Sequence, residues 1–577
     1  MTAPTAEVGW RRYLPILSWL PSYRADWLRP DLVAALTVWA LVVPQAIAYA
    51  QIAGLPPQAG LFATAAGLVG YALLGTSRQL IVSPTSSTAA ISASLVGVIA
   101  LGDTTRSGEL SSLLAILTGI ALVVLGLSHV GFVARFIPTA VQVGFMFGLG
   151  LTIIVGQTAK ILGVPDTEGS FIDQVRVLLG NLSDTNPWTL LVGGVSLAVL
   201  LLARRFAPGM PAALVVVVAS IAAVAIFGLD ERNVEVLGLV EGGLPVPVLP
   251  TVLPGDFLAL VPGAIAIAVV GSAEGLTVAQ QFADEHRTEI RPDQELIANG
   301  GANVLSGLFA GFIVGGGASQ SAANDRAGAR TPLVSLVVSA LTVATCVAFL
   351  PLFQDLPQAV LGAIVISAVL GFLRVRELER LRALRTEGFA LAVVALVATL
   401  ALGILPGLIT SVILALLTLL VRLARPRLVV LGRQPGTGAW VARDRHPGVE
   451  VDPVTLVLRL EAPLLFLNAG LLRDLVRAQV AAAEPRPQLV VLELGGNSEL
   501  DIEGMDILER LASLLAEDGV TLRLGGARQP VHDLLERARA RGAVGLPADF
   551  RTVEEAVTGR AIAQPPTMDE PMDMTRS

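Results

Sequence analysis

Two short segments, one in each half of the chain, place helix breakers inside long apolar stretches. Residues 80–90 read LIVSPTSSTAA and residues 312–323 read FIVGGGASQSAA, so that a proline or a glycine run is followed by hydroxyl-bearing residues in both. A pair of interrupted apolar segments in corresponding positions of two halves is typical of broken helices that face a binding site in secondary transporters. The pair predicts an internal repeat with its site at the two breaks.

Breaks of this kind belong in a membrane, and the composition places the chain there. Of 577 residues, 53% are hydrophobic and 15% charged, with a mean hydropathy of +0.70, whereas soluble domains carry roughly 25% charged residues. Long runs before about residue 425 have almost no charge, and the remainder has the composition of a soluble domain. We therefore predict a polytopic membrane protein with a soluble C-terminal domain.

The membrane part divides into apolar segments that can be compared with the roughly 20 residues a spanning helix needs. We read fourteen of them, at residues 31–50, 57–77, 85–101, 110–128, 137–162, 187–205, 211–229, 257–282, 294–312, 319–327, 331–352, 357–373, 387–404 and 406–424. The two that start near Thr85 and Ser319 are too short or too interrupted to span alone. The last pair, broken at Pro406-Gly407, could be a re-entrant hairpin of half-length helices.

The two halves also align in sequence. Val42-Val43 recurs as Val269-Val270 and Ala89-Ala90 as Ala322-Ala323, with two further dipeptide matches between them at a slowly drifting offset. Seven segments per half is an odd number, so the repeats must be inverted relative to one another. The expected fold is an α-helical membrane protein of fourteen segments, built as a seven-plus-seven inverted repeat.

Charged residues between the segments predict the orientation. Arginines concentrate in alternate loops, at Arg78, Arg135, Arg204, Arg205, Arg287, Arg291, Arg326, Arg330, Arg374, Arg376, Arg380, Arg382 and Arg385. Acids concentrate in the intervening loops, at Asp103, Glu109, Asp166, Glu168, Asp173, Asp184, Asp230, Glu231 and Glu235. Because positively charged loops stay in the cytoplasm, we expect a multi-pass protein of the inner, cytoplasmic membrane with both termini cytoplasmic.

The domain boundaries follow from these readings. We assign residues 1–30 to a cytoplasmic lead-in, 31–425 to a transporter domain with repeats 31–229 and 257–424, 426–453 to a linker, 454–560 to a cytoplasmic domain and 561–577 to a disordered tail. Cys346 is the single cysteine, so no intramolecular disulfide or thiol metal site is expected. No cofactor, no metal, no nucleic acid and no enzymatic activity are predicted.

The two breaks suit an anion. A helix that begins inside the membrane leaves its first N–H groups without partners, and its N-terminal end carries partial positive charge. Facing ends of this kind can bind an anion without a fixed cation. The candidate substrate-binding residues at the two helix starts are Thr85, Ser86, Ser87, Ser319, Gln320 and Ser321. The alternative is that Pro84 and the glycines 315–317 only kink packed helices.

Glu274 is the one carboxylate well inside a predicted span. An ionisable residue there is costly and is a functional hypothesis by default. Since burial disfavours the charged form of a carboxylate, Glu274 could take up and release a proton during transport; it could instead ligate sodium or serve as a structural hydrogen-bonding group. Gln45 could present its amide to the substrate or make a packing hydrogen bond. Nearby asparagines, at Asn299, Asn303 and Asn324, are expected to bond exposed backbone.

Three long motifs resemble the sulfate permease family, whose members include bacterial sulfate, bicarbonate and dicarboxylate carriers and animal multi-anion exchangers. They are residues 41–57 (LVVPQAIAYAQIAGLPP), 75–84 (GTSRQLIVSP) and 294–332, which starts QELIANGGANVLSG. The resemblance implies the fourteen-segment inverted repeat, a core and a gate domain, elevator-type movement of the core, and a homodimer. It also implies that the third and tenth segments form the anion site.

The chain departs from that family at one position. Many members carry an arginine after the serine at the start of the tenth segment, where this chain has Gln320. Glu274 matches a glutamate of proton-coupled members, so we expect proton symport of a small anion such as sulfate, bicarbonate or a dicarboxylate like fumarate. The alternatives are a sodium-coupled bicarbonate carrier, a nucleobase carrier of the same fold, or an anion channel or exchanger. Membrane lipid and a second copy are the expected partners.

The soluble domain shows strands alternating with helices, which is typical of an α/β unit. We predict strands at 455–460, 489–494 and 520–524 and helices at 470–483, 503–516 and 530–540. It resembles the STAS domain, which sulfate transporters share with anti-sigma factor antagonists. In those antagonists a phosphorylatable serine lies two residues after an aspartate; Glu503 stands there in this chain, so that switch is expected to be absent.

Overall fold

The computed structural model describes residues 13–100, 102–129, 138–165, 169–207, 210–240, 242–251, 253–497, 499–543 and 545–560. The chain divides into two compact units, Met1–Ala415 and Leu416–Ser577. Three of the charged loop residues that predict the orientation in the membrane lie outside the described residues: Arg135, Asp166 and Glu168. So do the first twelve residues of the lead-in and the tail 561–577, whose disorder stays a prediction.

Each predicted membrane segment corresponds to one helix of the described chain. The first half contains α1 (Leu28–Ile52), α2 (Pro57–Leu74), α3 (Ser86–Ala100), α4 (Thr104–Leu127), α5 (Thr139–Leu162), α6 (Pro187–Phe206) and α7 (Ala212–Phe227). The second contains α8 (Pro254–His286), α9 (Pro292–Leu308), α10 (Ala318–Arg326), α11 (Leu333–Ala344), α12 (Gln358–Val369), α13 (Thr386–Leu402) and α14 (Ile404–Ala424). Eight helices among the described residues are long and apolar enough to cross a bilayer. The two interrupted segments become the short helices α3 and α10.

The helices of the first unit pack mainly in two groups. We name α1–α4 with α8–α11 the core group, and α5–α7 with α12–α14 the gate group. Helix α14 joins the gate group through α13, since a Cβ on Gly407 would lie 2.4 Å from the Cα of Thr399. Within the core group, α4 and α9 approach so closely that a Cβ on Gly119 would lie 2.6 Å from the carbonyl oxygen of Gly300. Small residues permit such backbone contact between membrane helices. The core and gate groups correspond to the division that the sequence resemblance implies.

The break between α13 and α14 lies at a different residue from the one predicted. Gly403 separates the two helices, with a φ of 91° that favours glycine. Pro406 instead lies in the first turn of α14, where a proline costs no hydrogen bond. The helices have 17 and 21 residues, so at 1.5 Å per residue they are not half-length.

Among the described residues, the first unit contains two short strands, β1 (Val82–Ser83) and β2 (Gly315–Gly316). The strands of the second unit are β3 (Leu428–Arg433), β4 (Trp440–Ala442), β5 (Thr455–Leu460), β6 (Leu489–Glu493), β7 (Thr521–Gly525) and β8 (Ala548–Phe550). They form a six-stranded sheet in the order β4-β3-β5-β6-β7-β8. Strands β5 to β8 are parallel, and β3 is antiparallel to both β4 and β5. The helices are α15 (Ala469–Ala482), α16 (Ile502–Glu517), α17 (Gln529–Ala540) and α18 (Val553–Thr558).

The predicted linker at 426–453 is wrong in one respect, because it contains β3 and β4. Its glycines close a hairpin: Gly436 and Gly438 have φ values of 84° and 68°, and Leu431 pairs with Ala442 across the turn. Glycine supplies the positive φ that tight turns require. The segment looked like a linker because turn residues and linker residues have the same composition. The strands and helices predicted after residue 453 agree with the structure to within about two residues.

Candidate functional site

The two breaks meet in the middle of the core group. Before α3, β1 (Val82–Ser83) pairs in antiparallel fashion with β2 (Gly315–Gly316), which precedes α10. Gly317 extends this ladder by donating its N–H to the carbonyl of Ile81 at 3.0 Å. Because the strands are antiparallel, α3 and α10 leave the ladder in opposite directions, with their N-terminal ends on either side of it. The sequence pair therefore corresponds to one structural feature.

The start of α3 is fixed by Pro84 and Thr85. Proline disfavours helix in the residue before it and lacks an N–H, so the helix begins only after Pro84. The Thr85 hydroxyl then accepts the N–H of Thr88 at 3.2 Å, and the Thr88 hydroxyl donates to the carbonyl of Thr85 at 3.0 Å. This reciprocal bonding resembles a capping arrangement. The side chains of Thr85 and Thr88 therefore cap the start of α3, and the backbone N–H groups of Ser86 and Ser87 are not part of this arrangement.

Several backbone N–H groups at the two helix starts have no acceptor in the part of the chain that the structure describes. They belong to Ser86 and Ser87 on α3 and to Ser319 and Gln320 on α10. Ser86 and Ser87 are buried, with 1% and 2% of their surface exposed, whereas Ser319 is exposed. Unpartnered N–H groups at a helix start attract an anion because the helix dipole adds to their own charge.

Two side-chain amides extend the end of α10 toward α1. The Ser319 hydroxyl donates to Gln320 Oε1 at 3.1 Å, and Gln320 Nε2 donates to Gln45 Oε1 at 2.8 Å. Gln320 can fold back over its own helix start because Gly317 has no side chain: a Cβ there would lie 1.9 Å from Gln320 Oε1. Gln45 makes the packing hydrogen bond, yet within the described residues its Nε2 has no acceptor. It therefore keeps two donors for a ligand.

Ser321 has a different place from the other predicted residues. It is fully buried, and its hydroxyl accepts the backbone N–H of Ile81 at 2.9 Å. Since Ile81 directly precedes β1, this bond ties α10 to the first break. The contact supports the geometry of the site, and we assign Ser321 a positioning role.

Glu274 lies against the start of α3. The Ser87 hydroxyl donates to Glu274 Oε2 at 3.0 Å, and the hydroxyls of Thr85 and Ser87 are 2.9 Å apart. α8 can bring the carboxylate this close because Gly275 faces Gly316: a Cβ on Gly316 would lie 2.8 Å from the Cα of Gly275. An ionised carboxylate at a helix N-terminus takes the place that an anionic ligand would take.

One further residue of the site escaped the sequence analysis. Tyr49 of α1 is buried and lies near Ser86 at the start of α3 and near Glu274 of α8. The signal was available, because Tyr49 follows Gln45 by four residues and residues four apart share a helix face. Gln45 and Tyr49 thus approach the two helix starts from the same side of α1.

Buried polar residues next to the site serve the backbone. Asn303 bonds both the N–H and the carbonyl of Val314, and Asn324 donates to the carbonyl of Gln79. Glu295, at the edge of a predicted span, is 1% exposed and accepts hydrogen bonds from Tyr71, Thr76 and Ser77. No role for this buried carboxylate was predicted from the sequence. Among the described residues, no group of three histidine, cysteine or acidic side chains could hold a metal ion.

Comparisons with known proteins agree with this architecture. The model of the sulfate permease family matches residues 28–395, and that of the STAS domain matches residues 446–556. A probable sulfate transporter of Mycobacterium tuberculosis is 34% identical over 96% of this chain and 99% of its own length. Probable sulfate transporter 3.3 of Arabidopsis thaliana is 29% identical over 96% and 91%. The murine Slc26a9 anion transporter has the same fold, with a TM-score of 0.88, 23% identity and coverage of 97% and 96%.

Proposed function

This chain belongs to the sulfate permease family, whose members are transporters and not enzymes, and we propose that it is a secondary transporter that carries a small anion together with a proton. One observation carries the proposal: two helix N-terminal ends with unpartnered N–H groups meet across a two-stranded ladder inside the core group. In a membrane, only a polar ligand or water can satisfy such groups. The anion would lie between the starts of α3 and α10.

The site would recognise charge through neutral donors. In this proposal the N–H groups of Ser87 and Ser319 and the free amide hydrogens of Gln45 bind the anion from three helices, and none of these residues carries a positive charge. Neutral donors stabilise an anion less than an arginine does, because a charge-assisted hydrogen bond is roughly twice as strong as a neutral one. A dianion would therefore need additional neutralisation, and a proton could supply it.

Glu274 can couple the anion to the proton. When Glu274 is ionised, its charge occupies the positive end of α3 and the Ser87 hydroxyl donates to it. When Glu274 is protonated, it no longer repels an anion. The Ser87 hydroxyl is then released to donate to the anion. Binding of a proton and binding of an anion then favour one another, as linkage requires. This exchange of partners at Ser87 is a structural rationale for symport.

The arrangement of the helices supports an elevator-type movement. The site residues lie on α1, α3, α8 and α10 or, for Thr85, directly before α3, and these helices belong to the core group. A site carried wholly by one group can cross the membrane with that group while the gate group stays fixed. We further propose the inner membrane, cytoplasmic termini and a homodimer.

Sulfate is the first candidate anion, because relatives across most of the chain are described as sulfate transporters. Bicarbonate and dicarboxylates such as fumarate suit the same donors, since helix ends respond more to charge than to shape. A sodium-coupled bicarbonate carrier, an anion channel or exchanger, and a nucleobase carrier are the competing functions. The two helix N-terminal ends favour an anion over a neutral base, because their partial positive charge attracts negative charge.

Trans-stimulation tests the proposed function. The full chain is reconstituted in proteoliposomes loaded with unlabelled sulfate, and entry of labelled sulfate is followed without a proton or sodium gradient. A carrier should accelerate entry when sulfate is present inside, and unlabelled bicarbonate or fumarate should compete only if they share the site. Equal entry into loaded and empty vesicles would contradict a carrier and favour a channel.

Gln320→Ala should raise the KM for the anion about fivefold. The substitution removes the partner that orients the Gln45 amide, and a neutral hydrogen bond contributes about 1 kcal/mol. Gln45→Ala should have a similar effect, and the double variant should be no worse than Gln45→Ala alone, because the two side chains act as one unit. Gln51→Ala, on the same helix, is the matched control. Additive effects of the two substitutions would contradict the proposed chain of amides.

A further inference from the structure

An exposed basic helix lies between two membrane helices of the gate group. It spans Val375–Leu384, directly before α13 begins at Thr386. The segment 374–385 contains two glutamates, Glu377 and Glu379, and five arginines: Arg374, Arg376, Arg380, Arg382 and Arg385. None of its residues is fully buried. A segment this short between two membrane helices must stay at the membrane surface.

The helix has an apolar side as well as a basic one. Leu381 packs toward α13, since its side chain lies 3.4 Å from the Cβ position of Gly388. At the two ends of the helix, Val375 and Leu384 are 51% and 70% exposed. The Arg380–Glu377 contact is 3.7 Å long and open to solvent, so it neutralises little of the charge. An amphipathic basic helix of this kind favours an interface with negative charge.

The C-terminal end of α6 adds two arginines near the same surface. Arg204 donates from Nη1 to the carbonyl of Ser367 in α12 at 3.3 Å, which holds its side chain close to the segment that leads into the basic helix. Arg205 lies over the ring of Phe206 at 5.6 Å, and Phe206 is 75% exposed. Exposed aromatic rings beside arginines are typical of the headgroup level of a membrane.

From this geometry we infer that the helix Val375–Leu384, with Arg204 and Arg205, is a docking surface for the phosphate headgroups of anionic phospholipids. The charge of the helix is complementary to that of an anionic leaflet, and its position between α12 and α13 keeps it at headgroup depth. Arginine suits phosphate because its planar donors bind two oxygens at once. Each arginine near such a surface contributes about fivefold to the association. The gate group would thus bind selected lipids.

A fluorescent probe at one position of the helix tests this inference in the full chain. Ala383 is exposed, whereas Cys346, the native cysteine, is buried. In the variant Ala383→Cys a bimane reagent should therefore label the cysteine at position 383. The labelled protein is reconstituted in mixtures that contain either brominated phosphatidylglycerol or brominated phosphatidylcholine as the quencher. We expect brominated phosphatidylglycerol to quench the bimane fluorescence at a mole fraction at least about fivefold lower than brominated phosphatidylcholine does. The triple variant Arg376→Gln, Arg380→Gln, Arg382→Gln should lose this preference.

The control variant removes the same charge elsewhere. Arg443→Gln, Arg445→Gln and Arg541→Gln together change three exposed arginines of the second unit and should leave the preference intact. High salt should weaken it, because exposed charges are screened. Equal quenching by the two lipids in the parent would overturn the inference. Displacement of phosphatidylglycerol by millimolar inorganic phosphate would also overturn it and would indicate a soluble phosphate ligand. Absence of quenching by either lipid would overturn it as well and would indicate that a protein partner covers the helix.

Discussion

Glu274→Gln should abolish the stimulation of anion uptake by an inward proton gradient. In a symporter that carries one proton per anion, one pH unit can drive accumulation by about tenfold, since it corresponds to about 1.36 kcal/mol. The glutamine has nearly the shape of a protonated glutamate but cannot release a proton, so accumulation should fall to the level set by the anion gradient alone. The measurement is uptake of labelled sulfate into proteoliposomes with and without a pH step.

The same variant should retain exchange of labelled for unlabelled anion at equal pH, which shows that the site is intact. Glu235→Gln, which changes an exposed acid outside the site, is the matched control and should behave like the parent. If the glutamine variant still responds to the proton gradient, Glu274 does not couple the proton. Stimulation of the parent by a sodium gradient alone would instead identify Glu274 as part of a cation site.

Gly316→Val should eliminate anion binding. A Cβ at Gly316 would lie 2.8 Å from the Cα of Gly275 and 3.0 Å from Cδ1 of Leu80. The first of these atoms belongs to the backbone and cannot rotate away, so α8 must shift and take Glu274 with it. Overpacking of this kind typically costs about 1 to 3 kcal/mol, and here the displacement falls on the site. Binding of labelled sulfate to the purified protein measures the effect.

Gly271→Ala, on the same helix as Glu274, is the matched control. A Cβ at Gly271 would meet no atom within 4 Å, so binding should be unchanged. Elution of both variants as single species in gel filtration shows that the loss at Gly316 is local. Normal sulfate affinity in Gly316→Val would mean that the contact between α8 and the ladder does not shape the site.

The sequence predicted the fold well because membrane helices and breaks are governed by strong local rules. Apolar runs of spanning length, Pro84 before a helix start and hydroxyl residues directly after it each act through a few neighbouring residues. The inverted repeat then required the two breaks to meet, and the pairing of β1 with β2 is the result. The elements of the soluble domain were equally readable, because strand and helix periodicities differ.

The structural features that the sequence did not predict depend on packing between residues that are distant along the chain. The hairpin of β3 and β4 shares its glycine-rich composition with a linker, so only pairing with β5 distinguishes the two. The place of Ser321, bonded to Ile81, follows from the register of the two breaks. The function of Gly275 and Gly316 depends on a contact that joins α8 to β2 of the ladder. No pattern along the chain specifies contacts of this kind.

The location of the anion is the central claim and can be measured directly. A cryo-electron microscopy map of the full chain at saturating sulfate should contain tetrahedral density between the N-terminal ends of α3 and α10, within hydrogen-bonding distance of Ser87 and Ser319. A second map without sulfate should lack that density. Sulfate density elsewhere in the protein, with the space between the two helix ends empty, would contradict the account.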